Sequence, residues 1–97
     1  MEHLYIGKYI KRDRIPDALH HARIKGHLKG VEDRALRSFL EGFDAVIVQR
    51  HGKFQDRLDY HEMQEIFKVM GRDHSDHVNG QELEEISEIL LDENFEF

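Results

Sequence analysis

The sequence has no cysteine, no threonine and no tryptophan, and Pro16 is its single proline. The lack of cysteine excludes disulfide scaffolds, thiolate zinc sites and cysteine nucleophiles. Hydroxyl nucleophiles are scarce too, because the chain has three serines. Glycine-rich phosphate loops, the Gly-x-Ser-x-Gly pattern and the His-Glu-x-x-His zinc motif are also missing. The sequence therefore predicts a protein that is not an enzyme and has no cofactor.

Long apolar runs are missing as well. No run approaches the ~20 residues of a membrane span, and residues 1–13 lack the continuous apolar segment of a secretory signal. We therefore expect a cytoplasmic protein that does not contact the membrane. Leu, Ile, Val and Phe make up 28 of the 97 residues, which is above the ~20% level below which chains tend to stay disordered. The length predicts a single domain over 1–97 with a small core.

Hydrophobic periodicity predicts a mainly α fold, a small bundle of about four helices with an N-terminal arm at residues 1–14. Pro16 suits the first turn of a helix that runs to about Lys29 and stops at Gly30. The clearest helical period predicts a long helix from about Val31 to Arg50, ending at His51-Gly52. The apolar residues that recur there at three- and four-residue steps are Ala35, Leu36, Phe39, Leu40, Phe43, Val46 and Ile47.

The same region leaves an alternative open. Val46, Ile47 and Val48 form a β-branched run, which favours a strand, and Gly42 could end the preceding helix. Residues 3–10 are also rich in aromatic and β-branched residues. The alternative prediction is therefore an α+β fold with a short sheet built from residues 3–10 and 44–50.

The last third of the chain contains an internal repeat at an offset of 20 residues, in which 58–66 matches 78–86. Asp59 and Asn79 occupy the position of a helix N-cap in the two copies. Glu62 and Glu82 follow three residues later, which is the spacing of a capping box. The repeat predicts a helical hairpin over 58–93 with an acidic last helix, and Gly71 is expected to end its first helix.

The segment 71–82 has the length of an EF-hand calcium loop and resembles a degenerate one. Gly71 takes position 1, where a carboxylate is needed, and Asp76 takes position 6, where the loop needs glycine. The equivalent segment 51–62 places a lysine at position 3. The resemblance implies an alternative function as a metal-responsive module. The oxygen-bearing residues at ligand positions 3, 5, 9 and 12 are Asp73, Ser75, Asn79 and Glu82.

Charge is divided along the chain. Residues 1–37 carry nine Lys/Arg and five Asp/Glu, whereas residues 38–97 carry five Lys/Arg and fifteen Asp/Glu. Arg72 is the last basic residue, and nine carboxylates follow it. An acidic end of this kind is repelled by nucleic acid and attracted to basic protein surfaces. We therefore expect no direct nucleic-acid binding and a partner with a basic surface.

The acidic residues of the last helix share its outward arc at 100° per residue, which places them together on one surface. The predicted function is a non-catalytic interaction or regulatory protein that binds a basic partner. A narrower form is a DNA-mimic inhibitor that masks a nucleic-acid-binding protein. The wide apolar arc of this helix, with Phe95 and Phe97 beyond it, also predicts a homodimer. The predicted partner-binding residues are Asp73, Asp76, Glu84, Glu85, Glu88, Asp92 and Glu93.

Overall fold

The computed structural model describes residues 5–6, 9–73, 78–92 and 94–95. This part of the chain is mainly helical and includes one small antiparallel sheet, which confirms the predicted fold class. The helices are α1 (Ile15–Ile24), α2 (Asp33–His51), α3 (Tyr60–Asp73) and α4 (Gly80–Leu90). The strands are β1 (Tyr5–Ile6), β2 (Tyr9–Lys11) and β3 (Arg57–Asp59), and a 3-10 turn at Arg12–Arg14 joins β2 to α1.

The sheet has the order β1-β2-β3, and both pairs of neighbours are antiparallel. Ile10 of β2 lies opposite Leu58 of β3, and both side chains are buried. The alternative prediction of strands in residues 3–10 is thus partly right, but the partner is wrong, because residues 44–50 lie inside α2. Val46 and Ile47 share the buried side of α2 with Phe43, so helical burial outweighs their β-branched preference.

α1 ends five residues before the predicted Lys29. Gly26 has a φ of 96°, and its N–H donates to the carbonyl of Arg23. The N–H of His27 donates to the carbonyl of Ala22, and the two bonds together form a Schellman motif. Leu28 follows with a φ of 58° and a buried side chain. The chain therefore turns at Gly26 instead of Gly30, and burial of Leu28 accompanies its left-handed backbone.

α2 ends where the sequence predicts. Gly52 has a φ of 73°, and its N–H donates to the carbonyl of Val48 at 2.7 Å. A glycine at this position adopts the left-handed conformation without steric cost and so terminates the helix. The start of α2 at Asp33 lies two residues beyond the predicted Val31.

The capping box predicted for the last helix is confirmed. The N–H of Glu82 donates to Asn79 Oδ1 at 2.8 Å, and the N–H of Asn79 donates to Glu82 Oε1 at 3.2 Å. Half of the equivalent box on α3 forms: the N–H of Glu62 donates to Asp59 Oδ1 at 2.7 Å. The Glu62 side chain instead turns to the end of α2, so its predicted return to Asp59 is wrong.

Gly71 does not end α3, which continues to Asp73. A Cβ added at Gly71 would meet Leu83 of α4 at 3.6 Å. The glycine therefore lies where α3 approaches α4, and an added Cβ would make an ordinary van der Waals contact with Leu83 there.

The apolar side of α4 is covered within one copy of the chain. α4 contacts both α1 and α3, and Leu83, Ile86, Ile89 and Leu90 are buried. The arc is wider than one neighbouring helix would cover, but two helices of the same chain share it, and only Leu91 at its end is half-buried. Phe97, which the homodimer prediction also used, lies outside the described residues. The homodimer remains a prediction without this argument.

Two arginines form ion pairs with carboxylates of α2. Arg12, at the end of the sheet, donates two hydrogen bonds to Asp44 of α2, the second from Nη2 to Oδ2 at 2.8 Å. Arg23 of α1 forms an ion pair with Asp33 and donates to the carbonyl of Val31. This guanidinium holds the pKa of the Asp33 carboxyl below its usual range. Both contacts join segments that are far apart in sequence or separated by a turn.

Candidate interaction surface

The outer side of α4 carries four of the predicted carboxylates, and we call Glu84, Glu85, Glu88 and Asp92 the acidic face. Glu84, Glu88 and Asp92 are exposed, and Glu85 is half-buried. The capping box sets where α4 begins, and its buried apolar residues set which side turns outward. Within the described part of the chain, no lysine or arginine forms an ion pair with these four carboxylates. The three exposed carboxylates of the acidic face are therefore open to solvent and to a partner.

The structure describes one of the other three predicted site residues, Asp73, and it does not lie on this face. Asp73 is the last residue of α3, and its carboxylate pairs with Arg72 at 3.1 Å. Asp76 and Glu93 lie outside the residues that the structure describes. The prediction for these two side chains is untested.

An open, shallow groove with a volume of about 500 Å³ lies beside the acidic face, between α3 and α4. Its floor is apolar and includes Phe67, Leu83 and Leu91. Glu84 borders it, whereas Glu85 lies at a separate small pocket that includes Gly30. No pattern in the sequence predicts this groove. The nearest signal is a pair of glycines, Gly71 and Gly80, which both line it, but from the sequence Gly71 is expected to be a helix stop.

The carboxyl-terminal end of the acidic face lies near α1. Phe95 is half-buried, and its ring centroid is 5.6 Å from Lys25 Nζ and 6.2 Å from the ring of His27. The backbone N–H of Asn94 also donates to Asp92 Oδ1 at 3.0 Å. Basic residues of the amino-terminal half thus approach this end, so Glu84 and Glu88 are the carboxylates best suited to a test of charge.

A second polar cluster joins α2 to α3. Glu62 accepts hydrogen bonds from Arg50 Nε at 2.8 Å and from Arg50 Nη2 at 3.2 Å. Its Oε1 atom also lies 2.8 Å from His51 Nε2. The hydrogen bond from Arg50 is the main reason that the pKa of Glu62 falls below its ordinary 4.5, and the contact with His51 lowers it further. This ionised carboxylate therefore stabilises the junction of the two helices.

The lowered pKa of Glu62 makes stability depend on pH. The folded-state pKa lies below the ordinary 4.5, so the stabilisation is fully present above that value and is lost as pH falls through the folded pKa. We expect Glu62→Gln to lower the free energy of unfolding near neutral pH. This loss of stability should become progressively smaller below about pH 4.5. Urea unfolding at a series of pH values measures the difference. A difference that stays constant would show that the carboxylate charge is not responsible. Glu41→Gln, an exposed change on α2, controls for net charge.

The residues of the proposed metal loop have other partners. Gly71 and Asp73, at loop positions 1 and 3, belong to α3. Asn79 and Glu82, at positions 9 and 12, cap α4 through each other. Ser75 and Asp76 fall outside the described residues. In the equivalent segment 51–62, the glutamate at position 12 binds Arg50 and His51 of the protein itself. The metal-responsive alternative stays a prediction that none of these contacts favours.

None of the described helices combines the length and apolar content needed to cross a bilayer. Comparison of the chain with known protein families, curated proteins and solved structures gives no match. Function is therefore inferred from the geometry of the chain itself.

Proposed function

We propose that the protein is a non-catalytic binding module whose acidic face engages a basic surface on another protein. The observation that carries this proposal is that Glu84 and Glu88 are exposed, one helical turn apart, without a basic partner among the described residues. Uncompensated charge of one sign attracts opposite charge and speeds the encounter of partners. The capping box and the buried side of α4 support it further, because they hold the carboxylates on a fixed scaffold.

A narrower form of the proposal is that these carboxylates take the place of phosphates and mask a nucleic-acid-binding protein. In that form, a DNA duplex and this protein compete for the same basic surface. Competition between labelled duplex and unlabelled protein distinguishes it from binding to a basic surface that has no nucleic-acid function.

The charge test uses a fluorescently labelled, lysine-rich peptide as the probe, with binding measured by anisotropy. We expect affinity to fall steeply as salt rises, because exposed charges are screened within about 8–10 Å at physiological ionic strength. Changing both Glu84 and Glu88 to Gln should weaken binding by about 2- to 30-fold, the equivalent of two exposed ion pairs.

The matched control removes the same charge from another helix. Glu32 and Glu41 are exposed on or next to α2, so changing both to Gln alters net charge equally and leaves the acidic face intact. The control variant should bind the peptide almost as well as the wild-type chain. Equal weakening in both double variants would show that net charge, not the acidic face, is responsible, and salt-independent binding would overturn the proposal.

A further inference from the structure

We infer that the groove between α3 and α4 receives the apolar side of a basic amphipathic helix from the partner. This inference rests on the proposed function and adds the partner's class to it. The groove is open and shallow, and the surface that lines it is largely apolar. Amphipathic helices are commonly bound in grooves of this kind between two helices.

Buried aromatic rings support the floor of the groove. Phe67 stacks on Phe39 with ring centroids 5.9 Å apart, and it also contacts Phe43 at 6.1 Å. Phe39 and Phe43 are fully buried. A floor supported by packed aromatic rings is already formed before binding, which lowers the cost of ordering it when a ligand enters.

Two small residues, Gly80 and Ser87, line the groove on the α4 side. A Cβ added at Gly80 meets no atom within 4 Å, so a side chain there would have free space. Ser87 lies further along α4, and its hydroxyl donates to the carbonyl of Glu84 in its own helix at 2.9 Å. Glycine and serine thus leave room for side chains that arrive from outside.

The charges on the two walls decide the class of the occupant. Glu84 borders the groove on the α4 side, and Glu88 is one helical turn further on the same face. Lys68 borders it on the α3 side, and the Lys68 Nζ atom lies 3.4 Å from Glu65 Oε1. An amphipathic helix can place its apolar stripe on the floor of the groove. Lysine or arginine along one flank of that helix is then directed to the α4 wall, which carries Glu84.

The probes are two labelled peptides of identical lysine and leucine composition and about 18 residues, long enough for a ~27 Å helix. The first places leucine at the spacing of one helix face, and the second is a permutation that spreads leucine around the helix. We expect the amphipathic peptide to bind at least about tenfold more tightly, because its leucines can fill the groove.

Gly80→Leu is designed to fill the groove, since a Cβ at Gly80 meets nothing within 4 Å. Ala45→Leu, at an exposed position of α2, is its control. Gly80→Leu should remove the advantage of the amphipathic peptide and leave the permuted peptide unchanged, whereas Ala45→Leu should change neither. Ser87→Tyr is a second blocking variant, and circular dichroism confirms that each variant is folded.

Each other outcome contradicts a stated part of this inference. Equal binding of the two peptides, with no effect of Gly80→Leu, overturns the inference that the groove binds the partner and leaves the acidic face as the binding site. Failure of both peptides at low salt overturns the proposed function itself. Equal binding of an amphipathic peptide with glutamine in place of lysine overturns the basic class of the partner. Self-association that Gly80→Leu abolishes would instead show a second copy of this chain as the occupant.

Discussion

Phe43→Ala is expected to lower the free energy of unfolding by about 3–5 kcal/mol, since the change removes a buried ring and leaves a cavity. Phe43 is fully buried in α2 and lies 5.6 Å from Phe39 and 6.1 Å from Phe67, measured between ring centroids. Native domains are stable by about 5–15 kcal/mol in total. The loss of this ring should therefore consume a large part of the stability of a chain of 97 residues.

Urea unfolding measures this loss as a lower transition midpoint with an unchanged slope. Phe54→Ala is the matched control, because the same atoms are removed from a residue that is 51% exposed. We expect the control to change the free energy of unfolding by no more than about 0.5 kcal/mol. A similarly small effect for Phe43→Ala would contradict the close packing of Phe43 with Phe39 and Phe67, and with it the rigid floor of the groove.

Ile10→Ala is expected to lower the free energy of unfolding by about 2–5 kcal/mol, as for other large-to-small changes in a core. Ile10 belongs to β2, where it faces Leu58 across the sheet and is fully buried. An isolated hairpin is at best marginally stable in water, so the short strands depend on packing against the helices. Loss of the Ile10 side chain should therefore weaken both the sheet and its attachment to the helical core.

Ile24→Ala makes the same chemical change at a residue that is 69% exposed at the end of α1. We expect it to leave stability within about 0.5 kcal/mol of the wild-type value. Thermal unfolding followed by circular dichroism compares the two variants directly. Equal, small effects would mean that the amino-terminal segment is a loosely attached arm and not part of the core.

These two stability tests also bear on the proposed function. The acidic face needs α4 to be held against α1 and α3, and the groove needs the aromatic cluster beneath Phe67. A binding variant such as Glu84→Gln alters an exposed side chain and should leave the free energy of unfolding nearly unchanged. Stability and binding can therefore be separated by choosing which side of α4 is altered.

Several local features were correctly predicted because their causes lie within a few residues of the chain. Helix α2 follows an apolar period of three and four residues and stops at Gly52, which adopts the left-handed conformation that glycine tolerates. The capping box of α4 depends on Asn79 and Glu82, three residues apart. The outward position of the acidic face follows from the 100° step of the same helix.

Other features depend on residues that are distant in sequence. The choice of β3 as the partner of β2 joins Ile10 to Leu58, and no local pattern specifies that pair. The contact of Glu62 with Arg50 and His51 replaces half of its predicted capping box, since folding brings the end of α2 beside the start of α3. Local preferences are weak, so tertiary contacts decide such cases.

The amino-acid sequence by itself determined the helical class and the N-terminal capping box of α4, because short-range periodicity and hydrogen bonding specify them. It also shows directly that carboxylates are concentrated toward the carboxyl end of the chain. The tertiary structure alone decided that α1 and α3 cover the apolar side of α4 and that Gly71 and Gly80 line a groove beside Glu84. That groove exists because two helices pack against each other, and a packing geometry is a property of both partners that neither segment encodes alone.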